Sequence, residues 1–438
     1  MEWWLVLVLI FCSMVFLFLI GMPVAFSFLF INLIGFFLFA GGPAGFRQVI
    51  LSIYDSVTKF TILPVPLFIL MGEVMFQSGV AHNMMDALDK WLGRLPGRLS
   101  LLAVGGGSLF ATLSGSSMAG AAMLGSVLAP EMDKRGYRPE MSLGPILGSG
   151  GLAMMIPPSI LGVLLAAIGR FSVGDFLISI IVPGLLLAVC YAGYIILRCI
   201  IQPHLAPSYN LATRPSFSEK MSLTLRYILP LGTIVFLVVG LIFLGVATPS
   251  ESAALGAGGC FILAFAYRGL KWEHIKSSLS HTVTITVMMF MIFAGSAGFS
   301  QILALTGATH GLVDMAANLP LPPFYILVAM LIVLLIMGTF MESMTIIMIT
   351  LPIYMPIIKT LGFDPLYFGA MMLLTLEMGI TTPPFGIILF VVKGVAPPGV
   401  TMMDVYKAGI PFLLCDLVVL LLLLAFPNLS LWLPSLAH

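Results

Sequence analysis

Gly148-Ser149-Gly150-Gly151-Leu152-Ala153-Met154-Met155-Ile156-Pro157-Pro158-Ser159 reads as a helix made to stop inside an apolar run. Small residues weaken the helix ahead of the stop. Pro157 and Pro158 then end it by removing two N–H donors and crowding the carbonyls one turn earlier. The device returns 226 residues later (383 minus 157) as Glu377-Met378-Gly379-Ile380-Thr381-Thr382-Pro383-Pro384. At that offset Pro23 meets Pro249, Pro96 meets Pro322, Pro130 meets Pro356 and Pro139 meets Pro365. Six of the eleven prolines in the first 200 residues thus fall on a proline, where 29 prolines in 438 residues would give fewer than one coincidence. Gly136/Gly362 and Ser117-Met118/Ser343-Met344 obey the same shift. Paired Pro- and Gly-broken segments in an internally duplicated, apolar chain are the sequence mark of a secondary transporter.

Composition agrees. Hydrophobic residues make up 60% of the chain and charged ones 8%, against about a quarter charged in a soluble domain. Apolar runs recur from end to end without strand-like alternation, which predicts an all-α polytopic membrane protein and excludes a β-barrel. Residues 3–20 lack a basic leader and run straight into another apolar stretch, so they read as a span and not a signal peptide. A net charge of +1 leaves no nucleic-acid footprint. Cys12, Cys190, Cys199, Cys260 and Cys415 are scattered, without C-x-x-C, and read as small buried hydrophobes. The six histidines form no metal cluster.

Crossings are expected at 3–20, 23–40, 64–80, 142–168 and 177–198, and again at 228–246, 250–267, 280–302, 366–392 and 406–427. Segments 46–62 and 82–97 mix apolar and charged residues and read as amphipathic interfacial helices. Lys90, Arg94 and Arg98 precede the apolar stretch 99–132, and Lys134, Arg135 and Arg138 follow it, so both its ends belong on the cytoplasmic side. It must turn back at Ser114-Gly115-Ser116-Ser117 as a re-entrant hairpin, with 323–358 its counterpart from the opposite face. Each half then crosses an odd number of times, giving two inverted repeats, 1–198 and 228–438, joined by a cytoplasmic linker at 199–227. Both termini are periplasmic in this path. It places fifteen of the nineteen Lys/Arg inside and leaves Arg47, Lys59, Arg170 and Lys359 outside.

Each half therefore carries two backbone breaks at membrane depth: the hairpin tips at 114–117 and at Gly338-Thr339-Phe340-Met341-Glu342-Ser343, and the broken helices ending in Pro157-Pro158 and Pro383-Pro384. Freed carbonyls cost several kcal/mol each in hydrocarbon and must meet protein, water or an ion. Carbonyls at broken helix ends ligate cations, and half-helix N-termini attract carboxylates. Hydroxyls of Ser116, Ser117, Thr339, Ser343, Thr381 and Thr382 add oxygen ligands. Each half is thus expected to build one Na⁺ site where a hairpin tip meets a broken helix. An anionic substrate is expected between the tips, against Ser116, Ser117, Ser159, Ser343 and Thr382. Of the acids in apolar segments, Glu342 and Glu377 fall in the second-half breaks and could balance cation charge, take protons or brace a loop. Glu251, after Thr248-Pro249-Ser250, reads as part of a helix cap, and Glu73 and Asp416 as locally paired or functional. Arg170 could meet an anion or anchor a helix end at the interface.

No phosphate loop is present, since Gly105-Gly106-Gly107-Ser108 lacks the lysine, so ATP is not the energy source. No nucleophile–base pair or metalloprotease signature argues for an enzyme. The motifs Leu109-Phe110-Ala111-Thr112-Leu113-Ser114-Gly115-Ser116-Ser117, Asp133-Lys134-Arg135-Gly136-Tyr137 and Ile156-Pro157-Pro158-Ser159 resemble the large membrane subunit of tripartite ATP-independent periplasmic (TRAP) transporters. Thr248-Pro249-Ser250-Glu251-Ser252-Ala253-Ala254 and Thr381-Thr382-Pro383-Pro384-Phe385-Gly386 are similar to its second-half motifs. The resemblance implies an elevator carrier in the bacterial inner membrane. It would import a small organic acid with Na⁺, together with a small four-helix membrane subunit, here a separate chain, and a periplasmic substrate-binding protein. By position it implies Na⁺ ligands at Ser114, Gly115, Ser116 and Ser117 with Gly150 and Gly151, and at Gly338, Thr339, Met341, Glu342 and Ser343 with Gly379, Thr381 and Thr382. A stand-alone ion-coupled anion carrier of similar architecture is the alternative.

Overall fold

A computed structural model describes residues 2–92, 95–114, 117–207, 216–267 and 269–437. Every regular element among them is helical. The first half runs α1 (Trp3–Leu19), α2 (Val24–Phe39), α3 (Gly45–Val57), α4 (Pro64–Gln77), α5 (Val80–Leu92), α6 (Arg98–Ser114), α7 (Ser117–Lys134), α8 (Pro139–Met155), α9 (Ile160–Gly169), α10 (Val173–Ser179) and α11 (Ile181–Ile201). The second half opens with α12 (Phe217–Leu223), α13 (Leu229–Val235) and α14 (Leu241–Phe243), one continuous rod joined by wider turns at Thr224–Ile228 and Phe236–Gly240. It goes on through α15 (Pro249–Ala266), α16 (Trp272–Leu305), α17 (Ala308–Asn318), α18 (Pro323–Phe340), α19 (Ser343–Thr360), α20 (Pro365–Thr381), α21 (Ile387–Val395), α22 (Met402–Ala425) and α23 (Asn428–Ala437).

Eight stretches of the described residues are long and apolar enough to span a bilayer. Leu19, Ile262 and Phe265 are more than two-thirds exposed, an arrangement that water would penalise and lipid accepts. Helix limits repeat at the proline offset. Ser117 and Ser343 open α7 and α19, Pro139 and Pro365 open α8 and α20, and Met155 and Thr381 close them. The repeat is imperfect in one place. In the first half Pro64 and Pro66 open α4 after an extended turn at Lys59, so α3 and α4 are separate. The corresponding positions in the second half are Phe290 and Ile292, nothing breaks the ladder, and α16 runs 34 residues, past both ends of the expected 280–302.

Two features differ from the sequence reading. The linker is partly helical: Ser216 caps α12 by accepting from the Glu219 N–H, and Glu219 pairs with Lys90 at 2.7 Å, laying the rod against α5. A short helix, α23, follows α22 and packs on α10 and α11. The helices fall into two groups. In one, α1 to α4 pack with α15 and α16. In the other, α8 and α20 form the centre, clasped by α6, α7, α18 and α22. Every residue of α8 from Met141 to Met155 is buried, as is every one of α20 from Tyr367 to Thr381.

Candidate ion and substrate site

At the second hairpin tip, α18 ends at Phe340, Met341 and Glu342 are extended, and α19 starts at Ser343. The Glu342 carboxylate caps α19 by accepting from the Thr345 N–H at 3.3 Å, and the Ser343 hydroxyl is buried without a partner. Thr339 spends its hydroxyl proton on the Ile336 carbonyl, 2.7 Å away. This tip lies backbone to backbone on the second broken helix: a Cβ built on Gly338 would stand 2.7 Å from the Gly379 Cα, and one on Gly379 2.6 Å from the Gly338 Cα. Only two glycines permit that approach. α20 ends at Thr381, Thr382 is extended, and Pro383-Pro384 precedes α21. Thr381 and Thr382 turn their hydroxyl protons onto carbonyls one turn back, Thr382 onto Met378 at 2.6 Å, which leaves their oxygen lone pairs available.

The first half repeats the scheme. α6 ends at Ser114 and α7 begins at Ser117; Gly115 and Ser116 lie outside the described residues, as does the Ser114 side chain. A Cβ on Gly150 would meet the Ser117 carbonyl oxygen at 3.1 Å, so α8 touches this hairpin's backbone. After α8 come extended Ile156, Pro157-Pro158 and α9. The prolines deprive the carbonyls of Ala153 and Met154, and in the second half that of Ile380, of their usual helical donors. Ser159 is fully buried, and its oxygen accepts from the Gly162 N–H at 3.1 Å as the cap of α9.

Between the two broken helices lies a group whose setting no local pattern announces. Glu377 of α20 is fully buried, and neither carboxylate oxygen has a hydrogen-bond partner. It presses on Gly151 of α8: a Cβ there would fall 1.4 Å from Oε1 and 1.9 Å from Cδ. Gly151 and Glu377 are themselves 226 positions apart (377 minus 151), the same offset that relates the prolines. Asp416 of α22, also buried, accepts from the Tyr191 hydroxyl of α11. Among the described residues no Lys, Arg or His pairs with either acid. The sequence clue to Asp416 is a lone charge within an apolar run. Glu251 does form a capping box with Thr248.

A cavity of about 330 Å³ opens where the two helix groups meet, with Ser117, Met154, Glu342 and Ser343 on one wall. Glu73 of α4 and His281 of α16, 3.4 Å apart, stand on the other. Their pairing was not legible from spacing, since the two residues are 208 positions apart (281 minus 73). Ser117 and Ser343 thus reach the cavity, whereas Ser159 and Thr382 are not on its described walls.

The sequence profile of the tripartite ATP-independent periplasmic transporter DctM component matches residues 11–429. The C4-dicarboxylate TRAP transporter large permease protein DctM of Pseudomonas aeruginosa is 33% identical, covering 90% of each chain. That of Rhodobacter capsulatus is 32% identical over 98% of each. The ectoine TRAP transporter large permease protein TeaC of Halomonas elongata is 28% identical over 97% of this chain and 98% of its own. Among solved structures, the YdaH transporter of Alcanivorax borkumensis superposes with a TM-score of 0.67 at 15% identity, covering 89% of this chain and 90% of that one, a likeness of fold. With paired helix breaks, glycine-seated hairpin and family profile in agreement, the chain belongs to the DctM family, the large permease components of tripartite ATP-independent periplasmic transporters.

Proposed function

We propose that this chain carries a small organic acid anion across the inner membrane together with Na⁺, working with a small membrane subunit and a periplasmic substrate-binding protein. One observation carries the Na⁺ reading: Glu377 and Asp416 are buried acids with no basic partner, and Glu377 is wedged between the two broken helices. An isolated buried carboxylate is strongly disfavoured unless a cation or a proton neutralises it. A cation supplied from outside meets that need, and the prolines leave the carbonyls of Ala153, Met154 and Ile380, on the same two helices, without their helical donors. Ser114 to Ser117 with Gly150 and Gly151 would hold one Na⁺, and Gly338 to Ser343 with Gly379, Thr381 and Thr382 another, with Glu377 giving negative charge near both.

The substrate's place in this reading is the cavity between the hairpin tips and α16. The names of relatives point to C4-dicarboxylates and ectoine as the range of cargo. Contact between the duplication mates Gly151 and Glu377 supports a two-fold relation, and the loop charges make the repeats inverted. The two helix groups then divide into a scaffold around α16 and a moving body around α8 and α20, as in an elevator. Uptake in proteoliposomes tests the proposal. It should require a Na⁺ gradient and both partner proteins. Vigorous Na⁺-driven uptake by this chain alone would favour a stand-alone carrier, and uptake indifferent to Na⁺ would end the coupling claim.

A further inference from the structure

A second cavity, of about 490 Å³, lies further along α16. It is bounded by Ser300, Gln301 and Ala304 of that helix, and its charged walls come from three other elements. Lys59 follows α3, Arg170 terminates α9, and Lys359 belongs to the last turn of α19. The chain has only nineteen Lys and Arg, and the loop-charge pattern leaves four on this face. Three of those four converge on one hollow. Asp55 also lines it and pairs with Lys59 at 3.3 Å. Arg170 and Lys359 make no ion pair with a described acid, so the hollow keeps a positive surplus. Arg170 stands in left-handed backbone (φ 56°), alone among the described non-glycine residues, at a helix end where glycine or asparagine is the ordinary choice. An arginine held there against its backbone preference marks a position where the guanidinium matters.

The hollow lies between the helix groups: Lys59 follows α3 and Ser300 sits on α16 in one, while α9 packs on α20 and α19 forms the hairpin with α18 in the other. Along α16 the first cavity is lined by His281 to Met289 and this one by Phe293 to Ala304, so they follow one another on the helix. The first cavity thus lies on the N-terminal side of this one along the same helix. We propose that the Lys59–Arg170–Lys359 hollow is a waiting site for a small carboxylate anion on the periplasmic side, occupied before the anion reaches the hairpin tips. This rests on the transport reading for its purpose, but its test needs neither Na⁺ nor uptake.

The test introduces Ala304→Cys in a Cys12→Ala background, the remaining cysteines being buried or half-buried. The purified chain, in neutral detergent free of anionic lipid, is treated with a negatively charged thiol reagent (sulfonatoethyl methanethiosulfonate) and with its trimethylammonium counterpart. The hollow should favour the anionic reagent by roughly tenfold, the scale of charge focusing in a lined cleft. Succinate at millimolar concentration, at constant ionic strength, should slow that reaction several-fold. Arg170→Asn, which suits left-handed backbone, and Lys359→Gln should each reduce both effects, whereas Arg170→Lys should retain them. Equal rates for the two reagents would overturn the proposal. So would a charge preference that succinate leaves untouched, because the hollow would then be a basic surface that binds no carboxylate. Protection restored only by added anionic lipid would assign the cations to headgroups and equally overturn it.

Discussion

An alanine at position 151 would carry its Cβ to 1.4 Å from Glu377 Oε1. Tyr191 and Phe412 pack against the next turn of α8 at Gly148. Either the side chain leaves its rotamer or α8 and α20 separate. Overpacking of this kind costs about 1–3 kcal/mol. Glu377→Ala removes the obstacle together with an unpartnered buried carboxyl group, at the expense of a small void. The double variant Gly151→Ala/Glu377→Ala should then lose less than the sum of the single effects, because the new methyl enters the vacated space. A coupling of at least about 1 kcal/mol is expected for residues in direct contact. Unfolding of the purified chain in detergent, followed by tryptophan fluorescence for wild type, both singles and the double, measures it. Additivity within about 0.5 kcal/mol would mean that the two residues do not touch, and the contact between the duplicated halves would have to be abandoned.

Gly338→Ala drives a methyl into the Gly379 backbone, which cannot yield, so the hairpin should lift off the broken helix. Uptake should fall to background while membrane insertion and expression persist; wild-type uptake would refute the contact. Tyr191→Phe withdraws the hydroxyl that donates to buried Asp416, and should lower stability by about 1–3 kcal/mol; an unchanged melting temperature would remove Asp416 from the buried network. Thr248→Ala breaks the box with Glu251, at a loss of about 1 kcal/mol measured by the same unfolding assay and with transport unchanged.

The breaks were legible because proline acts locally. Pro157, Pro158, Pro383 and Pro384 lack the N–H a helix needs whatever the surroundings, and a duplication doubles the signal. Helix capping was legible in the same way at Thr248 and Glu251. Contacts made across the fold were not. Nothing near Gly151 announces that its missing side chain is replaced by the carboxyl group of Glu377, and the capping of α9 by Ser159 goes unnamed in the sequence reading. The asymmetry between α3 with α4 and the unbroken α16 was present in Pro64 and Pro66. It passes unnoticed when matching prolines are sought and not missing ones. The Lys59–Arg170–Lys359 convergence likewise needs three dimensions, as the residues are spread over 300 positions (359 minus 59).

Equilibrium binding of radioactive sodium to the purified membrane subunits, without substrate or gradient, isolates the ion from every other requirement of transport. Saturable binding at more than one site per chain, weakened in Glu377→Gln and in Gly338→Ala, is the result expected. Binding no greater than to empty detergent micelles, or saturable binding that both substitutions leave unaltered, would contradict the assignment of the paired backbone breaks to Na⁺.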